Sequence, residues 1–369
     1  MTGRRPEAPV EGLDVSSYTI PTDQPESDGT FEWDSTTMVL VEARAGGRTG
    51  LGYTYGHRAT ASVIRDQLGP VVEGTDPFDL AGTWTAMDQQ LRNLGRPGVG
   101  MMALSGVDIA LWDLKARLLD VSLQDVIPSC HDAIPIYGSG GFTSYTTERL
   151  REQLGGWVEQ GIPRVKMKVS RHPPEDPARL DAARKAIGDD TELFVDSNGA
   201  LTRKQALDWA HRFRHEWNVG WFEEPVSSDD VEGLRLLRDR GPGGLDIAAG
   251  EYGYLLTDFR RWLEGGAVDC LQADVTRCGG ITGLLAVGAL AAAHGLELSG
   301  HCAPAVSAYA LSGVAHLRHL EYFHDHVRIE GMVFDGTLQP VDGELRPDRS
   351  RPGLGLELKR PDAERFRVG

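Results

Sequence analysis

Lys168, Asp196, Glu223, Glu251, Asp274, His301 and Glu321 each close a short apolar run, and they recur 20 to 28 residues apart. Asp196, Glu223 and Glu251 close three consecutive runs. Three carboxylates brought side by side repel strongly unless a cation lies between them. An all-oxygen set with open positions suits Mg2+ rather than Zn2+, which prefers nitrogen and sulfur. Glu223 and Glu224 are neighbours, and alternation along a strand turns only one of them inward. The residues themselves do not choose between the two. Lys166 and Lys168 are two apart and share a face, with Met167 pointing the other way. Two inward ammonium groups raise each other's energy, so at least one is expected to have a depressed pKa and to act as a base near neutral pH. Asp274 and His301 close adjacent runs, and an aspartate beside a histidine fixes its tautomer and raises its basicity, forming an acid/base couple.

These groups converge only if the chain folds so that the run ends share one place. The runs are AIPIYGS, PRVKMKV, LFVDSN, VGWFEEP, LDIAAGE, VDCLQAD, LELSGH and LRHLE, each followed by a helix-like segment. Eight strand–helix units of about 26 residues argue for a (β/α)8 barrel of the TIM type, in the α/β class. An open doubly wound sheet competes, but no G-x-G-x-x-G follows the first strand. One acidic residue ending a strand is ordinarily a helix cap. Seven ionisable residues at the same structural position crowd charge into one mouth, which costs free energy unless chemistry uses it. The lysines of strand 2 and the histidine of strand 7 then face each other across a metal held by strands 3 to 5, and Glu321 closes the ring.

The first 128 residues have another texture. Ser35–Ala45 reads as a strand, Gly46-Gly47 as a turn, and the stretch from Leu51 to His57 as a Gly/Tyr-rich loop. Ala59–Val72 has helical spacing, Asp76-Pro77 opens another helix, and Gly100–Asp120 reads as a long amphipathic one. Of 369 residues, 38 are Lys or Arg and 54 Asp or Glu, a net charge of −16. That charge repels nucleic acid and anionic membranes alike. Cys130, Cys270, Cys278 and Cys302 form no C-x-x-C pair and read as isolated buried thiols in a reducing compartment. No apolar segment follows the charged N-terminus, and Leu284–Leu296 is too short to span a bilayer. A soluble, cytoplasmic protein is expected.

K-M-K at Lys166–Lys168, VDSN at Asp196, FEEP at Glu223, AGE at Glu251, DVTRCGG at Asp274, SGH at His301 and the glutamate Glu321 together resemble the enolase superfamily, specifically its mandelate racemase subgroup. GVDIALWDLKARL in the first part resembles that family too. The resemblance covers nearly the whole chain. It implies an α+β capping domain (1–128), a catalytic barrel (129–325) and a C-terminal segment (326–369) that returns to the cap. It further implies Mg2+ on Asp196, Glu223 and Glu251, with Glu223 rather than Glu224 on the metal. Lys168 is then the base on one face of the substrate, with Lys166 contacting the carboxylate. His301, paired with Asp274, serves the other face, and Glu321 hydrogen-bonds a carboxylate oxygen. Arg277 stands where the subgroup often has a lysine. Members are commonly symmetric homo-oligomers.

The chemistry implied is removal of the proton α to a carboxylate through an enediolate, whose charge a divalent cation and a lysine stabilise where it develops. If His301 protonates a departing β-hydroxyl, the product is that of a dehydratase. If it returns a proton to the opposite face, the enzyme is a racemase or epimerase of a 2-hydroxy acid. A cycloisomerase acting on a sugar-acid lactone is a further outcome. Substrate choice is expected from Tyr18–Trp33 and Leu51–His57, with Tyr53, Tyr55 and His57 hydrogen-bonding a polyol, Tyr137 and Ser139 lining the pocket, and Asn198 beside them. That polar, Tyr-rich lid favours an acid sugar, an aldonate or aldarate, over an aromatic acid; both proton fates use the same residues, and dehydration of such an acid is the leading expectation. A metal-dependent hydrolase would carry H-x-H after strand 1, whereas the only H-x-H here is His324–His326, read as a loop. A barrel without catalysis would be expected to lack at least one of these residues, and none is missing.

Overall fold

The apolar runs between 134 and 323 form eight parallel strands in a computed structural model that describes residues 8–368. In the barrel these are β4 (Ile134–Gly140), β5 (Arg164–Lys168), β6 (Glu192–Asp196), β7 (Val219–Glu223), β8 (Asp246–Ala249), β9 (Cys270–Ala273), β10 (Glu297–Gly300) and β11 (Leu317–Phe323). Each pairs in parallel with the next, and β11 pairs with β4, Glu321 opposite Tyr137, so the sheet closes. Strands covered on both faces need apolar side chains on both. Tyr137, Phe194, Trp221, Ala248 and Cys270 fill the interior. Ile136, Val165, Met167, Val195, Phe222 and Ile247 belong to the larger core that includes the surrounding helices.

The N-terminal part is an antiparallel sheet of β1 (Gly12–Ser27), β2 (Glu32–Ala45) and β3 (Arg48–Tyr55), backed by the helix Val99–Leu119. Two expectations fail here. The Gly/Tyr-rich stretch is the strand β3 rather than a loop, because its glycines serve packing and not turning. A Cβ at Gly50 would lie 2.3 Å from the carbonyl oxygen of Ala110, so only glycine lets that helix approach so closely. The helix in turn is not amphipathic in use. It lies between the cap sheet and the barrel helix Gly280–Ala293, and even Asp108 and Asp113 are buried in it. Asp108 accepts hydrogen bonds from the Thr282 amide and hydroxyl, and Asp113 from the amides of Leu51 and Leu354. The glycine pair Gly46-Gly47 is a turn as expected, both residues having positive φ.

The hairpin end of β1 and β2 reaches over the barrel mouth. β1 carries a wide bulge between Pro21 and Glu26, beyond which the tip packs on the ends of β4 and β6. Gly29 lies so near the carbonyl of Ser197 that a Cβ would sit 2.2 Å from it, and Ser27 bonds Thr143 at 2.6 Å. The last residues run back along the cap, with the Val368 amide donating to Ser17 and the Thr19 amide to Phe366. Among the described residues no helix is long and apolar enough to cross a membrane. Cys130 is exposed, contrary to expectation, while Cys270, Cys278 and Cys302 are buried.

Candidate active site

At the carboxyl ends of the strands, carboxylate oxygens of Asp196 (β6), Glu223 (β7) and Glu251 (after β8) all lie within 4.8 Å of one another. Pairing of Asp196 with Glu223 across β6 and β7 fixes this register. Glu223 faces the barrel axis: Oε1 takes the Lys166 ammonium at 2.5 Å, and Oε2 accepts from Trp221 Nε1 and Gln272 Nε2, both at 2.9 Å. Glu224 follows the strand end with φ +38° and is also buried, its Oε1 without a hydrogen bond. Glu251 Oε2 accepts no well-aligned hydrogen bond, although His301 Nε2 stands 3.2 Å away.

Lys168 approaches this cluster from β5, its Nζ 2.5 Å from Asp196 Oδ2. His301, after β10, approaches from the other end, with Nε2 3.2 Å from Glu251 Oε2 and Nδ1 2.8 Å from Asp274 Oδ2. Asp274 also accepts from the Thr276 amide and hydroxyl, and the Arg277 guanidinium stands 3.5 Å away. Glu321 accepts from Ser139 Oγ at 2.6 Å and from Lys166 at 2.8 Å, joining β11, β4 and β5.

The electrostatics follow from crowding. Burial raises Glu223 to about 8 although Lys166 opposes it, and burial with the neighbouring Glu251 and Asp196 charges holds Glu224 well above the usual carboxylate range. Burial also acts against Glu251 and Glu321, but His301 and Lys168 outweigh it at the first, and Lys166 and His301 at the second, so both are held well below the usual carboxylate range. His301 is raised, since the adjoining Cys302 sulfur and the Glu251, Glu321 and Asp274 carboxylates overcome its burial. The expected depression of a lysine pKa does not occur among these protein charges. Burial disfavours both ammoniums, but Glu223 and Glu321 raise Lys166, and Asp196 raises Lys168 despite Lys166. Mutual repulsion between the lysines is the weaker effect because carboxylates separate them.

The substrate-pocket expectations fare unevenly. Ser139 reaches the site through Glu321, and the Asn198 backbone amide donates to Asp196 Oδ1 at 2.8 Å. Tyr137 does not line a pocket. It is fully buried in the barrel interior beneath Lys166, packed on Phe194 and Trp221. Tyr53 and Tyr55 are buried between cap and barrel, where Tyr53 Oη donates to Glu330 at 2.6 Å and Tyr55 stacks on His326 with ring centroids 3.5 Å apart. Their alternation within β3 turns both toward the helix His324–Val333. His57 is exposed, its Nδ1 accepting the Ala59 amide at a helix start. His324–His326 is not a loop but the first turn of that helix. Sequence reasoning missed Trp221 and Gln272, although each stands two positions before a site residue (Glu223 and Asp274) and so shares its face. It also missed Cys302, which lies between His301 and Glu321.

Residues 22–127 match the family model "Mandelate racemase / muconate lactonizing enzyme, N-terminal domain", and 149–363 match "Enolase C-terminal domain-like". The chain belongs to the mandelate racemase/muconate lactonizing enzyme family of the enolase superfamily. Within that family it is similar to a solved mandelate racemase/muconate lactonizing enzyme-like protein from Rubrobacter xylanophilus, 60% identical with TM-score 0.96, covering 98% of this chain and 100% of that one. It is 30% identical to the 3,6-anhydro-alpha-L-galactonate cycloisomerase of Streptomyces coelicolor, over 98% of this chain and 100% of that protein. It also resembles the L-talarate/galactarate dehydratase of Salmonella typhimurium, solved with Mg and L-lyxarohydroxamate, at 28% identity and TM-score 0.88 over 100% of this chain and 96% of that one.

Proposed function

We propose that the chain is a magnesium-dependent acid sugar dehydratase that removes the proton α to a carboxylate. The observation that carries this reading is the placement of Lys168 and His301 at the two ends of one buried carboxylate cluster. The residues fit a hard divalent cation: three buried carboxylates converge with oxygens within 4.8 Å of one another, and burial with the Asp196 and Glu321 charges pushes Glu223 up to about 8 despite Lys166. Asp196, Glu223 and Glu251 would hold the ion, which when bound offsets the negative charge that develops on a substrate carboxylate.

The remaining work falls to the side chains. Lys166, fully buried, holds Glu223 and Glu321 in place and presents a fixed ammonium to the carboxylate. Lys168 Nζ would accept the α-proton once its contact with Asp196 is relieved and its ammonium has given up a proton to solvent. Asp274 holds a proton on His301 Nδ1, so Nε2 exchanges the second proton, here with a β-hydroxyl as it departs. Oε1 of Glu321 is taken by Ser139 and Lys166, while Oε2, beside the Cys302 thiol and His301 Nε2, is the atom that would share a proton with a substrate carboxylate oxygen.

The first test is a stereochemically complete panel of aldonates and aldarates incubated with the protein and Mg2+. Loss of water from one of them, with deuterium exchange at the α-carbon in D2O, is expected. A panel with neither would overturn the reading. The similarity to a cycloisomerase along the full chain favours a second reading, ring opening or closure of an anhydro or lactone acid. Turnover of such a substrate with no loss of water would replace the first reading with this one.

A further inference from the structure

A second metal-ligating set stands beside the carboxylate cluster and has different chemistry. His301 Nε2, Cys302 Sγ and Glu321 Oε2 form a closed triangle: sulfur to nitrogen 3.4 Å, sulfur to Glu321 oxygen 3.2 Å, nitrogen to oxygen 3.4 Å. A four-coordinate zinc ion, with bonds of about 2.3 Å to sulfur and about 2.0–2.2 Å to nitrogen and oxygen, requires ligand atoms roughly 3.3–3.6 Å apart. The triangle is already close to one face of that tetrahedron.

The surroundings leave these atoms available. Asp274 occupies His301 Nδ1, the carboxylate–histidine arrangement that orients the other ring nitrogen toward a metal. Ser139 and Lys166 occupy Glu321 Oε1, leaving Oε2 turned to the thiol. Cys302 adopts φ +52° and Ala303 φ +45°, a left-handed pair that residues with a Cβ rarely adopt, and the thiol faces inward, buried between His301 and Glu321. Glu251, only 4% exposed, stands beyond the triangle with Oε2 3.2 Å from the same imidazole nitrogen, so the fourth position is left to solvent.

We propose that His301, Cys302 and Glu321 form a second, soft-metal site that takes Zn2+ and blocks the enzyme by capturing the imidazole nitrogen of the acid/base couple. Thiolate and imidazole select zinc and cobalt over magnesium, whereas the all-oxygen set beside them suits a hard ion. The two sites therefore sort ions by ligand type, and zinc inhibits with magnesium in place. Binding of Zn2+ expels the Cys302 thiol proton and the proton on His301 Nε2 to solvent, Nδ1 keeping its own against Asp274, and forms the Zn–S and Zn–N bonds without any redox change. Binding stands independently of which acid is the substrate; only the inhibition rests on the catalytic reading above.

The test uses the full chain in excess Mg2+, titrated with Co2+ as the spectroscopic probe. A thiolate-to-cobalt charge-transfer band in the near ultraviolet, saturating at one equivalent and bleached by Zn2+, is expected. Cys302→Ser and Cys302→Ala should both abolish the band, with circular dichroism reporting that each is folded, and Cys130→Ser should leave it unchanged. No band in the native chain, or a band that survives in folded Cys302 variants, overturns the proposal. Once a substrate is in hand, one equivalent of Zn2+ should lower turnover at least tenfold in excess Mg2+. Inhibition that disappears as Mg2+ is raised would mean competition at the carboxylate set instead, and would overturn the second site.

Discussion

Replacing Lys168 by Met separates the two roles its ammonium plays. Nζ is held 2.5 Å from Asp196 Oδ2, one of the three convergent carboxylates, and both groups are buried. A hydrogen bond to a charged partner contributes about 1.5–3 kcal/mol, and a divalent cation at Asp196 competes with it. Lys168→Met should therefore bind Mg2+ about 10- to 150-fold more tightly, the same energy expressed as an equilibrium ratio. The variant also loses its general base, for which a loss of about 10²–10⁴ in turnover is expected. Titration calorimetry with Mg2+ reads the first effect without any substrate, and α-proton exchange in D2O reads the second. Methionine keeps the volume, so packing beneath the mouth is retained. Weaker Mg2+ binding, or turnover within tenfold of the parent, would refute the reasoning that this lysine is a base restrained by a metal ligand.

Asp274→Asn should lower turnover by about 10³–10⁴-fold with little change in Mg2+ affinity, because the amide no longer fixes the proton on His301 Nδ1; the pH–rate profile of the residual activity should lose the contribution of His301. Burial raises the Asp108 carboxyl from 3.8 to about 7 despite its bonds from Thr282. The folded state thus binds this proton more tightly than the unfolded state, so its stabilising contribution is complete below about 4 and drains away as pH rises to about 7, by about 1.4 kcal/mol per pH unit and roughly 4 kcal/mol at most. Asp108→Asn can keep both Thr282 contacts, so its stability gain over the parent should grow between pH 5 and pH 8 in urea melts; an equal offset at both would contradict this. Gly50→Ala places a methyl 2.3 Å from helix backbone and should cost about 1–3 kcal/mol; an unchanged urea midpoint would mean the helix yields freely.

Much of this architecture was legible because its signals are local in the chain. Eight apolar runs at near-regular intervals dictate repeated strand–helix units, and an ionisable residue closing seven of them dictates where charge collects once the units close into a ring. The alternation in K-M-K put both lysines on one face without knowledge of any neighbour. What lay beyond the sequence depended on contacts between distant segments. Gly50 and Gly52 signalled a loop, yet a helix sixty residues later needed them small, and so Tyr53 and Tyr55 were carried into a buried strand and away from the mouth. The lysine pKa values were misjudged for the same reason. Spacing along β5 reveals the neighbouring ammonium, but only the closed barrel brings Asp196, Glu223 and Glu321 against them, and the nearer, opposite charges prevail. Cys302 looked inert as one letter; the tertiary fold alone set it between an imidazole and a carboxylate, because β10 and β11 end side by side.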